Sequence, residues 1–289
     1  MRPYFLSFRA YLLNSFMSRH FKFRPAAYPT WLELAITCLV AFVGFASIPV
    51  LEGEYGLSWD ALNHHIYLGW VAESPRFDKD FYAASGQSYQ FPYLYWPIYK
   101  MAVAGLSGVA VGIVFAAFYV LAIPPVWMIA RSYIPDNTPY GIAMRACATL
   151  LAFLSSVTLS FLDISSNDFL AALPLLWSVA LVSCTRRQPG HTASSNRNNR
   201  NLLLASALLA GASVAFKLSN APLAVFMPIL WYTHADPPFQ KRMLTIFLCC
   251  TVAALAFVLI YAYWGWLLWR NFGNPFYPFF DGLLPVAPD

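Results

Sequence analysis

The sequence predicts an all-α fold: a polytopic membrane helix bundle of about seven transmembrane helices, with interfacial helices in a long first outer loop. Three observations carry this. Charged residues make up 11% of the chain and hydrophobic ones 59%, whereas a soluble domain carries about 25% charged residues. Apolar runs near the ~20 residues that cross a bilayer recur along the chain. Thirteen of the eighteen Lys and Arg fall in alternate connections between those runs, which is the positive-inside bias.

The elements follow in order. Residues 1–30 open with "MRPYFLSFRAYLLNSFMSRHFKFRP", in which basic residues are scattered through the apolar ones. No small-residue cleavage site follows an apolar core, so the segment reads as a basic amphipathic helix at the cytoplasmic interface. The membrane domain takes residues 31–281, with a tail at 282–289. Its apolar runs are Trp31–Leu51, Gly108–Ile129, Gly141–Phe161, Phe169–Cys184, Leu202–Leu218, Pro222–Tyr232 and Met243–Trp266. With the N-terminus inside, the cytoplasmic cations run from Arg2 to Arg24, then Arg131 and Arg145, then Arg186 to Arg200, then Lys241 and Arg242. Only Arg76, Lys79, Lys100, Lys217 and Arg270 fall outside. The five cysteines lie in or beside apolar runs, without zinc spacing, and are expected to be small buried hydrophobes.

Polar chemistry collects on the outer side. The first outer loop, residues 52–107, is far longer than a connector needs and holds "SWDALNHHIYLGWV". Ser58 is placed to cap a short helix starting at Trp59. Helical spacing then puts Asp60, Asn63, His64 and Tyr67 on one face and Trp59, Leu62, Ile66 and Trp70 on the other. His65 points off the polar face and is expected to be structural. A second interfacial helix is expected near Pro97. Asp60 reads either as a first-turn acid complementing a helix dipole or as a general base. His64, one turn on, moves the balance toward a site, because an Asp and a His at this spacing suit proton exchange or a divalent metal ion. The second outer loop, "SFLDISSNDFLAA", offers Asp163 and Asp168 as partner carboxylates. Lys217 and Arg270, at outer ends of runs, are either snorkelling side chains or cations awaiting a lipid phosphate.

Several stretches taken together resemble bacterial membrane glycosyltransferases of the GT-C fold, a group that includes protein mannosyltransferases and lipid A sugar transferases. "WDALNHHIYLGWV" and "DKDFYAASGQSYQFPYLYWPIY" resemble the family's first outer loop. "ASVAFKLSNAPL" resembles its Gly-Lys-Thr-like segment, with Ala215 and Ser219 as departures, and "WRNFGNPFYPFF" resembles its GNP-x-x-P segment. The resemblance implies transfer of a sugar from a polyprenyl-phosphate carrier to a glycan, lipid or protein acceptor, at the periplasmic face of a bacterial plasma membrane. It makes Asp60 the catalytic carboxylate, a base or a ligand for Mg²⁺ or Mn²⁺, with His64 beside it. Asp163 or Asp168 becomes its partner, and Lys217 and Arg270 become the lipid-phosphate ligands. Family members usually carry more spans and a C-terminal soluble part, so the resemblance is to a short or truncated member.

Two other classes fit part of the pattern. A transporter or flippase for lipid-linked or anionic substrates wants charges and broken helices at the midplane, and here the polar cluster lies in an outer loop. A non-catalytic assembly subunit would keep the fold without the chemistry. No Rossmann, P-loop or serine-hydrolase signature is present, and no nucleic-acid partner is indicated.

Overall fold

The computed structural model describes residues 30–56, 58–77, 79, 85–162, 164–185 and 193–280. The expected N-terminal amphipathic segment, Asp163 and the C-terminal tail lie outside the described residues. Everything described is helix or connection, with no strand.

Helix α1, Thr30–Glu52, is apolar almost throughout and packs on α4, Gly108–Val120. Ser107 caps α4 by accepting from the Ala110 N–H. A two-residue turn at Leu121 and Ala122 joins α4 to α5, Ile123–Tyr133, whose Pro124 and Pro125 occupy its first turn, where no intrahelical N–H is needed. Between α1 and α4 lies the long loop. It holds a π-helical turn at Ala61–His65, α2 at Ile66–Val71, a 3₁₀ turn at Ser85–Tyr89 and α3 at Trp96–Val103. Ser58 caps this segment as the sequence indicates, its Oγ accepting from the Ala61 N–H at 3.1 Å. Pro97 opens α3, also as expected. Helices α2 and α3 pack so closely that a Cβ on Gly69 would collide with the Tyr95 carbonyl and Tyr99.

The second half continues through α6, Pro139–Phe153, α7, Ser156–Phe161, and α8, Asp168–Ser183. Then come α9, Ala193–Phe216, the short α10, Ala221–Ala224, α11, Met227–His234, and α12, Phe239–Phe272. Helix α9 runs against both α8 and α12. Its Gly211 sits against the Ala253 backbone, with no room for a side chain.

Three helical segments are long and apolar enough to cross a membrane: Thr30–Glu52, Gly108–Tyr133 and Phe239–Phe272. They correspond to the first, second and seventh expected runs. The other four fall on shorter or more polar elements. Gly141–Phe161 divides at Leu154, where Ser155 caps a new helix. Phe169–Cys184 forms a 16-residue helix. Leu202–Leu218 is the apolar part of a helix that begins in the polar stretch "ASSNRNNRN". Pro222–Tyr232 becomes two short helices. Large apolar side chains cover the outside of the bundle, among them Leu39, Val43, Leu255 and Leu259. Such a surface fits lipid and not water. The cysteines divide: Cys249 is buried, but Cys147 and Cys250 are exposed on apolar helices.

At the end of α1 remote from the long loop stands an ion pair that sequence reading missed. Arg145 of α6 is completely buried and grips Glu33 with Nε and Nη2, both at 2.7 Å. Its Nη1 donates to the carbonyls of Ile134 and Asp136. Glu33 also accepts from the Trp127 indole at 2.8 Å. Arg145 thus joins α1, α5 and α6, a role that counting it as a loop cation did not reveal. The only sequence signal was Glu33, a lone acid at the start of an apolar run, where a charge needs a partner.

Candidate functional site

The site is built from the long loop between α1 and α4, the segment before α8 and the end of α9. Its first part is the π turn. An α-helix advances about 100° per residue, which would put His65 about 140° away from Asp60. A π turn closes its hydrogen bonds from i to i+5, so residue 65 stacks over residue 60. This corrects the expectation that His65 turns off the face. Asp60, His64 and His65 each offer a ligand atom, and these atoms lie within 4.8 Å of one another. Both imidazoles are buried, while the Asp60 carboxylate is exposed. Trp59 and Ile66 are exposed.

The second part is brought in by tyrosines. Tyr55 and Tyr119 both donate to the Ile164 carbonyl, at 2.5 and 3.1 Å. Tyr95 bonds the backbone of Asn167. The segment from Ile164 to Asp168 is therefore held over the π turn. There the Ser165 hydroxyl meets His65 Nδ1 at 2.7 Å, and Tyr95 stacks on the His65 ring at 4.9 Å between centroids. His64 lies edge-on to His65 at 4.5 Å. Burial is the main reason that the His64 pKa is lowered and the His65 pKa falls to about 4. Lys217 pushes both the same way and Asp60 opposes it. Both rings are neutral near pH 7, available as proton acceptors or metal ligands.

The third part is Lys217. The chain leaves helical geometry just after Phe216, and Lys217 turns toward the start of α8. Its Nζ lies 2.5 Å from Asp168 Oδ1 and 3.2 Å from Asn167 Oδ1. Ser166 donates to the other Asp168 oxygen at 2.5 Å. Asn220 steadies the turn through the Ala171 and Ser213 carbonyls. Lys217 is thus a paired, mostly buried ammonium and not a snorkelling one. It also forms a polar corner of a cavity of about 100 Å³ walled by Tyr89, Phe91, Phe216, Tyr261 and Tyr277.

The expected residues divide accordingly. Asp60, His64, Asp168 and Lys217 gather at one place, joined by His65, Ser165 and Tyr95. Asp163 lies outside the described residues. Arg270 does not line the Lys217 cavity; it is exposed on the last turn of α12, over the Trp266 ring at 5.6 Å. In this structure the partner of Lys217 is Asp168. Ser165 and Tyr95 had no sequence signal, because their roles come from contacts 30 to 100 residues away in the chain.

The fold and the site together define a helical membrane protein with a polar cluster built from its interhelical loops. Comparison with family models, with curated proteins and with solved structures returned no match to this chain.

Proposed function

We propose that the protein is a membrane glycosyltransferase, moving a sugar from a polyprenyl-phosphate donor to a hydroxyl acceptor where the two loops converge. One observation carries this reading. An exposed carboxylate flanked by two neutral imidazoles lies within electrostatic reach of a lysine, whose charge acts on both rings and which keeps one N–H beyond its two hydrogen bonds. Sugar transfer from a lipid phosphate needs such a combination. The acceptor hydroxyl gives its proton to Asp60 as its oxygen bonds the anomeric carbon. The bond from that carbon to the phosphate oxygen breaks, and the electron pair leaves with the polyprenyl phosphate. A positioned base contributes about 10²–10⁴ in rate, and a cation aimed at the leaving group stabilises the charge that develops there.

Lys217 is the cation for that charge. An ammonium has three donors; Asp168 and Asn167 take two, which leaves one for a phosphate oxygen. In this reading seven segments span a bacterial plasma membrane, the N-terminus is cytoplasmic and the site faces the periplasm.

Binding of polyprenyl phosphate to the purified protein tests the reading. Losing one charge-assisted hydrogen bond costs about 1.5–3 kcal/mol. Lys217→Met should therefore weaken binding by roughly tenfold to a hundredfold, while Lys217→Arg retains most of it. Asp168→Asn/Lys217→Met removes the unpaired acid and should melt like the wild type, yet still bind poorly. Wild-type affinity in that double variant would sink the assignment.

A further inference from the structure

We infer that Asp60, His64 and His65 form a binding site for one borderline divalent ion of the zinc type, with His65 recruited by the π turn. Of the ions that the family resemblance implies on Asp60 and His64, Mn²⁺ stands at the weak end of the affinity order for such donors and Mg²⁺ suits them poorly. Mg²⁺ takes oxygen ligands in near-ideal octahedral geometry and sheds water reluctantly. Two imidazoles with one carboxylate are a set for zinc and the later first-row metals.

One movement would complete the geometry for such an ion. Zinc bonds of about 2.0–2.2 Å at near-tetrahedral angles place ligand atoms about 3.3–3.6 Å apart. The three ligand atoms now lie within 4.8 Å of one another, so the widest pair closes by up to roughly 1.5 Å on binding. The exposed Asp60 side chain is the arm able to make that movement, since both rings are buried. The rings are pre-positioned: Ser165 holds His65 at Nδ1 and Tyr95 covers its face, while His64 packs edge-on against it. Hydrogen-bonded support of a ligating imidazole is the usual companion of a metal site. The charge balance agrees. Lys217 would repel a cation, but Asp168 neutralises it, and Asp60 leaves the cluster one negative charge in excess.

Three protein ligands leave a coordination position open. An ion there supplies Lewis acidity to a bound hydroxyl, and a singly coordinated Asp60 keeps its second oxygen for the proton. That last role rests on the glycosyltransferase reading; the metal site does not.

The test is metal binding by the full chain, purified in detergent without a histidine tag and with its five free cysteines blocked. After stripping with a chelator, the protein is loaded with Zn²⁺ or Co²⁺, desalted and assayed by elemental analysis. The expected result is one equivalent retained in millimolar Mg²⁺, with visible Co²⁺ absorption bands. Removing a supporting group around a metal typically costs 10–100-fold in affinity, so His65→Ala, which removes a ligand, should cost at least about 100-fold. His64→Ala should do the same. Ser165→Ala should fall between these and the wild type. Retention of less than a tenth of an equivalent by the folded wild type would overturn the inference. So would unchanged affinity in His65→Ala, or displacement of the ion by Mg²⁺. A protein that binds metal but fails to bind polyprenyl phosphate would keep this site and lose the proposed function.

Discussion

Replacing Arg145 with Met tests the packing that holds the front of the bundle together. The guanidinium is wholly buried and makes four hydrogen bonds of 2.6–2.7 Å, two to Glu33 and two to backbone carbonyls. Met fills much of the stem volume but leaves the Glu33 carboxylate, among the described residues, with the Trp127 indole as its hydrogen-bond donor and the charge of Arg131 at longer range. Breaking a buried pair by removing one partner costs about 3–5 kcal/mol, because the remaining charge is stranded. Arg145→Met should therefore lower unfolding stability by that amount in a mixed-micelle denaturation series. Glu33→Gln/Arg145→Met removes the stranded charge and should recover part of the loss. The two singles should then be non-additive, by about 0.5–3 kcal/mol. Recovery stays incomplete because the Ile134 and Asp136 carbonyls lose their donor in both variants. A loss below about 1 kcal/mol in Arg145→Met, or additive singles, would refute the argument. Metal loading at the far end of α1 should be unaffected in either variant.

Two further outcomes are expected. Glu73 is bridged to Lys100 and accepts from the Trp96 indole, and these contacts hold its carboxyl below the usual range. A depressed folded-state pKa stabilises above the unfolded value and loses that contribution as pH falls through the folded one; the melting difference between wild type and Glu73→Gln should be small and should shrink progressively once the pH drops below the ordinary glutamate value of about 4.3, and a gap that widens in acid would contradict it. In a cysteine-free background, Gln87→Cys should react with an impermeant thiol reagent from outside intact cells and Asn198→Cys should not, with the reverse pattern inverting the proposed orientation.

The class of fold was legible because it rests on composition, which lipid contact dictates directly. The Ser58 cap and the Pro97 start were legible too, since both depend on local backbone chemistry. The number of spans was not read to the same depth. Hydropathy does not register the break at Leu154, where Ser155 offers the backbone a new cap. Nor does it show that the run from Pro222 folds as two short helices. At the site, Asp60 and His64 were found by α-helical spacing, and that same spacing misplaced His65. A π turn is decided by what the ring gains, here the Ser165 hydroxyl and the Tyr95 face, and such partners are invisible to a local pattern. Lys217 was singled out by sidedness. Its Asp168 partner became evident only once α8 and α9 lay side by side.

The measurement that reaches furthest into this account is single-turnover sugar transfer by the purified chain, with Asp60→Asn as the paired variant. Asn keeps the shape of the side chain and cannot accept the proton. The wild type should convert a labelled polyprenyl-phosphate sugar to a glycosylated acceptor and free polyprenyl phosphate, and Asp60→Asn should do so about 10²–10⁴-fold more slowly. It should still bind the carrier with wild-type affinity, because Lys217 and Asp168 are untouched. Equal rates in the two proteins would remove Asp60 from the chemistry, and no transfer by a metal-loaded, carrier-binding wild type would contradict the proposed activity itself.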